Sequence, residues 1–234
     1  QQSFAWSTSG DGSFNLINNI HPIYTPGPND RLNESVVLTL TAQSFEPCEA
    51  AVSTMTLSIT PVPVVSAGAN ASICSTQNEF TLSGASAVEY ASLLWTSSGS
   101  GSFTDPAQIN AVYLPSQADI NDGQVVLTLT AQPNGSCQAA SSSMVLSIWR
   151  AATAYAGLDA FIATGASYQV LDAEATYYSS VSWSLEGDGN LTGVNTLSPL
   201  FTPLPGQTGT VTLTLTVTPM GSGVCGVATD VMTI

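Results

Sequence analysis

Apolar and polar residues alternate with a period of two over three long stretches of the chain. Valine, leucine or alanine fills every second position, with mostly threonine between them, in residues 36–42, 125–131 and 211–217. A period of two places successive side chains on opposite faces of a β-strand, so each stretch predicts a strand with one buried face. Threonine fits the exposed face because β-branched residues favour extended backbone.

A second alternating segment follows each stretch and predicts a hairpin. In the middle of the chain it places Met144, Leu146 and Ile148 inward, and the turn residues Pro133-Asn-Gly-Ser136 separate it from the first strand. Shorter alternating segments raise the expected number to about seven strands for each 90 residues or so. Only residues 115–121 suggest a single helical turn.

These elements belong to a longer repeat. Trp6, Trp95 and Trp183 each precede a Gly-x-Gly turn, and each is followed 18 residues later by an aromatic residue with the pattern x-Pro after it. A cysteine comes 42 residues after each tryptophan and a methionine 49 residues after it. A register held over this distance indicates an array of similar modules.

The repeat divides the chain into a partial module at 1–60 and two complete modules at 61–150 and 151–234. We expect the chain to be a window onto a longer protein. A module of about 90 residues approaches the size of an immunoglobulin domain. The predicted fold class is all-β, with tandem immunoglobulin-like antiparallel β-sandwich modules. Their structural core residues are Trp6, Trp95 and Trp183.

The cysteines predict one disulfide bond. Cys74 belongs to the first strand of the second module and Cys137 to its last hairpin, and these elements can be neighbours in a sandwich. We therefore expect a Cys74–Cys137 bond and no partner for Cys225 within its module, since Ala163 stands where the second module has Cys74. A disulfide indicates an oxidising, extracellular environment.

The charge balance excludes several partners. Sixteen acidic residues stand against two arginines and no lysine, for a net charge of −14. Nucleic-acid binding requires a basic surface, so we expect no nucleic acid partner. No apolar segment is long enough to cross a bilayer as a helix, so we also expect no membrane insertion.

One segment has the residue types of a metal site. Asp119, Asn121 and Asp122 precede Gly123 and resemble an oxygen-rich calcium loop. The alternative is an ordinary Asp/Asn/Gly turn leading into the next strand. The spacing of a known calcium loop is missing, so we favour the turn and predict no metal site.

The remaining motifs argue against an enzyme. The Gly-x-Gly turns lack the third glycine and the following helix of a dinucleotide site. His21 is the only histidine, so a Ser-His-Asp triad could form at most once. We therefore predict no catalytic residues and no cofactor.

Several segments of the second module resemble a known class of repeat. They are Trp95-Thr-Ser-Ser-Gly-Ser-Gly-Ser-Phe103, Tyr113-Leu-Pro-Ser-Gln-Ala-Asp-Ile120, Val125-Val-Leu-Thr-Leu-Thr-Ala131 and the module opening Ala67-Gly-Ala-Asn-Ala-Ser-Ile-Cys74. They look like the repeated immunoglobulin-like domains of large Bacteroidota surface adhesins, including gliding-motility proteins exported by the type IX pathway. The resemblance implies a secreted, non-catalytic protein at a bacterial cell surface.

The expected function is structural: an adhesin shaft, a stalk, or a component of an extracellular filament or sheath. The expected partners are neighbouring repeats or other copies of the protein, through β faces and joint residues such as Trp149. The alternative is a module that binds surface glycans or another ligand through exposed loops. A binding site of that kind would require loop residues that recur between modules or stand out from them.

Overall fold

The computed structural model describes residues 3–221 and 223–234 of the chain. Within them the protein is built from short β-strands and two short helices, which confirms the all-β prediction. No helix among these residues has the length and apolar character needed to span a bilayer.

The first repeat contains five strands and one helix. In chain order they are β1 (Phe4–Thr8), β2 (Ser13–Phe14), β3 (Tyr24–Thr25), α1 (Pro28–Leu32), β4 (Ser35–Ala42) and β5 (Ala51–Ser58). A three-stranded antiparallel sheet has the order β1-β4-β5, and β2 pairs separately with β3.

The second repeat contains the same elements with additional strands before them. The elements are β6 (Val64–Ser66), β7 (Ala71–Cys74), β8 (Phe80–Thr81), β9 (Ser86–Val88), β10 (Tyr90–Ser97), β11 (Ser102–Phe103), β12 (Val112–Leu114), α2 (Gln117–Asp122), β13 (Gln124–Pro133) and β14 (Ala140–Trp149). The sheets have the orders β10-β13-β14-β7 and β11-β12-β8, and β6 pairs with β9. The predicted helical turn is therefore present as α2.

The third repeat has no helix among its described residues. Its strands are β15 (Thr153–Tyr155), β16 (Tyr168–Gln169), β17 (Glu174–Thr176), β18 (Tyr178–Glu186), β19 (Asn190–Thr192), β20 (Leu200–Thr202), β21 (Thr212–Pro219) and β22 (Ala228–Thr233). The sheets have the orders β18-β21-β22 and β16-β20-β19, and β15 pairs with β17. The alternating strands predicted from the sequence become β4, β13 and β21.

The alternation sorts side chains as expected. In β13, Val125, Leu127 and Leu129 are fully buried, and in β21, Leu213 and Leu215 are fully buried. Trp183 lies opposite Leu215 in the β18–β21 register and belongs to the core of the third repeat.

The three repeated tryptophans are buried to different extents. Trp95 is 2% exposed and Trp183 is 6% exposed, whereas Trp6 is only partly buried. The indole N–H of Trp95 donates to the Ile109 carbonyl, but that of Trp6 has no hydrogen-bond partner among the described residues.

The predicted Cys74–Cys137 bond is wrong: Cys74 is bonded to Cys225, with 5.0 Å between the Cα atoms. The physical reason is that β7 runs parallel to β14, which places Cys74 opposite Trp149 at the end of that strand. Cys137 precedes the start of the strand. Ten residues of β-strand span roughly 30 Å, so Cys74 cannot reach it. The partner of Cys225 lies outside residues 151–234, in agreement with the expectation that it has none within its own module.

The chain forms two compact units. One holds the chain up to Ser66 together with residues 87–93 and 130–141, and the other holds residues 67–86, 94–129 and Ser142–Ile234. Cys74 and Cys225 both belong to the second unit. The division into modules at 1–60, 61–150 and 151–234 remains a prediction from the sequence repeat.

Candidate functional site

The buried carboxylate of Asp119 is the centre of a hydrogen-bonded cluster in the second repeat. Its two oxygens accept hydrogen bonds from the backbone N–H groups of Ser100 (3.0 Å), Gly101 (3.0 Å) and Ser116 (2.8 Å), and from the hydroxyl of Tyr113 (2.8 Å). We call these five residues the Asp119 clamp. Through these hydrogen bonds the Asp119 carboxylate holds together the Gly-x-Gly turn, the start of α2 and Tyr113 of β12.

The clamp explains why the turn contains glycines. A Cβ atom added to Gly99 would lie 1.9 Å from a carboxylate oxygen of Asp119, and one added to Gly101 would lie 2.4 Å from the hydroxyl of Tyr113. Side chains would therefore push the turn away from the carboxylate. The two glycines of the motif therefore allow the backbone to approach the side chains of Asp119 and Tyr113 closely.

The same cluster forms around Asp30 in the first repeat. Asp30 accepts hydrogen bonds from the backbone N–H groups of Asp11 (3.2 Å), Gly12 (3.1 Å) and Gly27 (3.0 Å), and from the hydroxyl of Tyr24 (2.6 Å). Asp11 in turn accepts from the N–H groups of the first turn of α1. Asp11 therefore caps the start of α1 with its side chain.

The third repeat replaces the cluster as a whole. Phe201 stands in place of the tyrosine, so the hydroxyl donor is missing. Gln207 takes over the bridging: its amide nitrogen donates to the Asp188 carbonyl (2.6 Å), and its amide oxygen accepts from the N–H of Leu204 (2.8 Å). The tyrosine and the aspartate are absent together, which indicates that the two residues depend on each other for their structural role.

The charge states of the clamp suit this structural role. Desolvation acts to raise the pKa of Asp119, but the hydrogen bonds from the Ser116 backbone and the Tyr113 hydroxyl outweigh it and hold the pKa below its ordinary value of 3.8. Burial raises the pKa of Tyr113 to about 12. At neutral pH the tyrosine therefore keeps its proton and donates a hydrogen bond to the ionised carboxylate.

Ser97, outside the clamp, forms a line with Tyr113 and Asp119 that resembles a catalytic proton relay. Ser97 Oγ lies 2.9 Å from the Tyr113 hydroxyl, which donates to Asp119 at 2.8 Å. A general base needs a pKa near the working pH. Neither the lowered pKa of Asp119 nor the raised pKa of Tyr113 meets this condition. The arrangement supports packing rather than proton transfer.

The calcium hypothesis is not supported by the positions of its three candidate ligands. The Asp119 oxygens are occupied by N–H and O–H donors. The Asn121 side-chain oxygen accepts from the guanidinium of Arg150 (3.1 Å), whose positive charge would repel a cation. Asp122 is exposed at the end of α2, and Gly123 ends that helix in the left-handed conformation (φ 77°). The described residues contain no group of three or more His, Cys, Asp or Glu side chains that could hold a metal ion.

We expect Asp119→Asn to lower the free energy of unfolding by roughly 2–3 kcal/mol, because an amide cannot accept from all four donors. The wild-type carboxylate stabilises the fold fully above about pH 5, and this contribution is lost as the pH falls below 3.8 and through the lower folded-state pKa. Urea unfolding between pH 2.5 and 7 measures both effects. The variant should show a smaller loss of stability in acid.

Asp122→Asn is the matched control, since Asp122 is an exposed carboxylate three residues away on the same helix. Its free energy of unfolding should stay within about 0.5 kcal/mol of wild type. Equal stabilities of the two variants at pH 7 would contradict the structural role of Asp119.

A second cluster surrounds the disulfide between the second and third repeats. The Trp149 carbonyl accepts from the Ser75 N–H (2.7 Å), and the sulfur of Cys225 lies 3.3 Å from the same oxygen. The Ser75 hydroxyl accepts from the N–H of Ala151 (3.0 Å). The backbone at the end of β14 is therefore held from two sides beside the covalent bond.

Arg150 joins both repeats to this cluster. Its guanidinium donates to the backbone and side-chain oxygens of Asn121 (both 3.1 Å) and to the Tyr177 hydroxyl (2.7 Å). The guanidinium carbon also lies 4.8 Å from the centre of the Tyr177 ring. One of only two arginines in the chain is thus used to connect consecutive repeats.

Trp149 is not a freely exposed aromatic residue. The residue is 37% exposed, and its indole packs against Gly221, where an added Cβ would lie 2.5 Å from the ring. The sequence analysis names Trp149 as a joint residue expected to contact neighbouring repeats or other copies of the protein. In the structure, much of the Trp149 side chain is covered by other residues of the second unit.

One hollow lies in the third repeat, with a volume of about 260 Å³. Its lining includes the fully exposed Phe161 as well as Gln207 and Phe201, but no carboxylate, imidazole or thiol side chain. Threonine hydroxyls line the hollow, but none of its lining side chains could act as a general base to activate them.

The comparisons with known proteins identify the fold alone. No family model matches the sequence, and the curated proteins gave no match either. Among solved structures, the chain is similar to the N-terminal eight Ig domains of Down Syndrome Cell Adhesion Molecule, with a TM-score of 0.51 and 11% identity over 100% of this chain and 39% of that one. It thus spans about two fifths of that structure.

Two further solved structures have lower scores. They are an I-band fragment of titin (TM-score 0.49, 12% identity, covering 99% of this chain and 86% of that one) and a fragment of human CDH23 (TM-score 0.48, 13% identity, covering 99% and 88%). These neighbours are immunoglobulin-like and cadherin-type β-sandwich domains.

Proposed function

We propose that this chain is a structural repeat region of a secreted bacterial surface protein: an adhesin shaft, a stalk, or part of an extracellular filament or sheath. The observation that carries the proposal is the disulfide between Cys74 and Cys225, which covalently joins two consecutive sequence repeats. A bond of this kind serves to hold repeats in a fixed arrangement.

The chemistry of the described side chains supports the same function. The buried carboxylates that could act as acids or bases, Asp30 and Asp119, are used to hold turns and helix starts. The guanidinium of Arg150 is used to connect repeats. Structural contacts therefore account for the groups that would otherwise suggest catalysis.

The location at the cell surface is supported by the disulfide and by the composition. Disulfide bonds form in oxidising compartments and are rare in the cytosol. An acidic surface without lysine disfavours nucleic-acid partners. The resemblance of the repeats to those of large Bacteroidota surface adhesins, exported by the type IX pathway, extends the proposal to that class of protein.

The proposal predicts that antibodies against this chain label intact, unpermeabilised cells of the source organism. Protein collected from those cells and treated with a thiol-blocking reagent should contain Cys74 linked to Cys225. A glycan array probed with the purified chain should show no binding above a control protein. Labelling only after permeabilisation would contradict the surface location, and reproducible binding of one glycan class would favour the ligand-binding alternative.

A further inference from the structure

The hairpin between β13 and β14 contains the one Asn-Gly pair of the sequence, Asn134-Gly135. Residues 134–139 connect the two strands, and both members of the pair are exposed. Gly135 has a φ of 83°, in the left-handed region that glycine adopts without strain. The pair therefore lies in an exposed turn of the second repeat.

The surroundings of this pair are open. Apart from its chain neighbours, a Cβ atom added to Gly135 would meet a single atom within 4 Å, the Thr60 hydroxyl oxygen at 4.0 Å. Neither the N–H of Gly135 nor the side-chain amide of Asn134 has a hydrogen-bond partner among the described residues. The backbone nitrogen of the glycine and the side-chain carbon of the asparagine are thus free to approach each other.

An Asn-Gly pair with this freedom can form a ring. The Gly135 nitrogen loses its proton to hydroxide and attacks Cγ of Asn134, because glycine has no Cβ to hinder the approach. A C–N bond forms, the side-chain amide takes up a proton and leaves as ammonia, and a five-membered succinimide remains. One water molecule then opens the ring at either of its two carbonyls, which gives isoaspartate or aspartate.

Other asparagines of the second repeat are held in place. The side-chain oxygen of Asn121 accepts a hydrogen bond from Arg150 (3.1 Å), and the residue belongs to α2. Asn110 is followed by Ala111, which is 2% exposed and accepts a backbone hydrogen bond from the N–H of Leu82 (2.9 Å). Ring formation requires rotation of this backbone, so the fold opposes it at both positions.

The structure also restrains two of the three Asp-Gly pairs of the sequence, in which an aspartate could form the same ring. After Asp11, the N–H of Gly12 donates to the carboxylate of Asp30 (3.1 Å). After Asp122, the N–H of Gly123 donates to a carbonyl of α2 (2.9 Å). An ionised carboxylate is in addition a poorer electrophile than an amide. A glycine nitrogen without a partner therefore distinguishes Asn134-Gly135 from these pairs.

We infer that Asn134 is a site of spontaneous deamidation, which converts it to a mixture of isoaspartate and aspartate in the folded protein. The modification needs only water and base. Each event adds one negative charge to a chain whose net charge is −14, and isoaspartate also adds one atom to the main chain. The inference rests on the geometry of the hairpin and is independent of the proposed function.

The hairpin tolerates this change. Asn134 loses no hydrogen bond to other described residues when it is modified, and the entropy of closing a loop grows only slowly with loop length. The modified chain should therefore unfold at the same urea concentration as the unmodified chain. Deamidated molecules stay folded and accumulate as the protein ages.

The test ages the purified whole chain at pH 6 and at pH 8. Cleavage after glutamate and arginine then releases the fragment 90–150, which contains Asn110, Asn121 and Asn134. Tandem mass spectrometry with electron-based fragmentation measures the conversion of each asparagine and separates isoaspartate from aspartate. We expect Asn134 to convert at least about tenfold faster than the other two, a ratio that corresponds to a barrier difference of about 1.4 kcal/mol.

Conversion at Asn134 should be faster at pH 8 than at pH 6, because the attacking nitrogen must lose its proton. Isoaspartate should be present among the products, since only the ring gives it. Equal conversion of the three asparagines, or aspartate as the sole product, would overturn the inference.

Gly135→Ala tests the role of the glycine. The added methyl group fits the open space, so the chain should remain folded, but it hinders the attack and should slow conversion by at least about tenfold. Gly206→Ala is the matched control, because Gly206 has a φ of 77° and also lies in open space. This control should convert Asn134 at the wild-type rate. A wild-type rate in Gly135→Ala would contradict ring formation through the Gly135 nitrogen.

A synthetic peptide with the sequence of residues 130–139 shows whether the folded hairpin permits the reaction. Asn134 should convert in the whole chain at a rate close to that in the peptide. A rate at least about tenfold lower in the whole chain would show that the fold prevents ring formation and would overturn the inference. Protein collected from the source organism should carry isoaspartate at Asn134. A glycan on this residue, which begins an Asn-x-Ser sequence, would overturn it as well.

Discussion

Replacing Trp95 by alanine is expected to lower the free energy of unfolding by about 3–5 kcal/mol, the range for truncation of a buried aromatic side chain. The indole is 2% exposed, packs near Phe103 with ring centres 6.3 Å apart, and donates a hydrogen bond to the Ile109 carbonyl. Truncation leaves a large cavity and one unsatisfied carbonyl. Denaturant unfolding followed by circular dichroism measures the loss.

Trp6→Ala is the matched control for this substitution. Trp6 occupies the same repeat position, but it is only partly buried and its indole N–H has no partner among the described residues. Its truncation should cost clearly less than that of Trp95. A loss under about 1 kcal/mol for Trp95→Ala would show that this tryptophan is not a core residue.

Removing the disulfide is expected to cost about 2–5 kcal/mol, with the upper end following from the long loop that the bond closes. The bond joins residues 151 positions apart, so it restricts the unfolded chain strongly. Cys225→Ser should therefore shift the unfolding of the second unit to lower denaturant concentration. Cys74→Ser should give the same shift, because each change removes the same bond.

Cys48→Ser tests whether the loss comes from the bond. Cys48 is an exposed free thiol, and its replacement should change the free energy of unfolding by less than about 0.5 kcal/mol. Addition of a reductant should lower the stability of wild type to that of Cys225→Ser and leave that variant unchanged. A wild-type chain that is insensitive to reductant would contradict the stabilising role.

The fold could be predicted because the same physical pattern occurs three times. Alternation in residues 125–131 identifies β13 and its buried face, and the recurring tryptophans identify a core position. The partial burial of Trp6 could not be predicted from its local sequence. Burial depends on which other elements pack against a residue, and a local pattern does not specify them.

The disulfide partner could not be predicted because it depends on strand direction. Local alternation identifies the strand that contains Cys74 but says nothing about whether it lies parallel or antiparallel to β14. The parallel register, with Cys74 opposite Trp149, selects Cys225 of the next repeat. The sequence did contain one signal. Ala163 replaces the cysteine in the third repeat, so Cys225 has no candidate partner within its own repeat and could pair only with a cysteine of another one.

The clamp around Asp119 was also open to sequence reasoning. Tyr24 and Tyr113 occur with an aspartate six residues later, whereas Phe201 is followed by Gln207 at that distance. This joint replacement indicates direct contact between the two positions. The calcium hypothesis considered Asp119 with its neighbours in sequence and so missed the tyrosine that donates to it.

The bond between Cys74 and Cys225 changes how the chain responds to tension. When its two ends are pulled apart, force passes from Cys74 directly to Cys225, and the residues between them bear none of it. Their extension, roughly 500 Å for about 150 residues, is withheld while the bond is intact. A pulled chain would therefore reach a short limiting length in oxidising surroundings, and the withheld length would become available only after the bond is reduced and the residues between the two cysteines unfold.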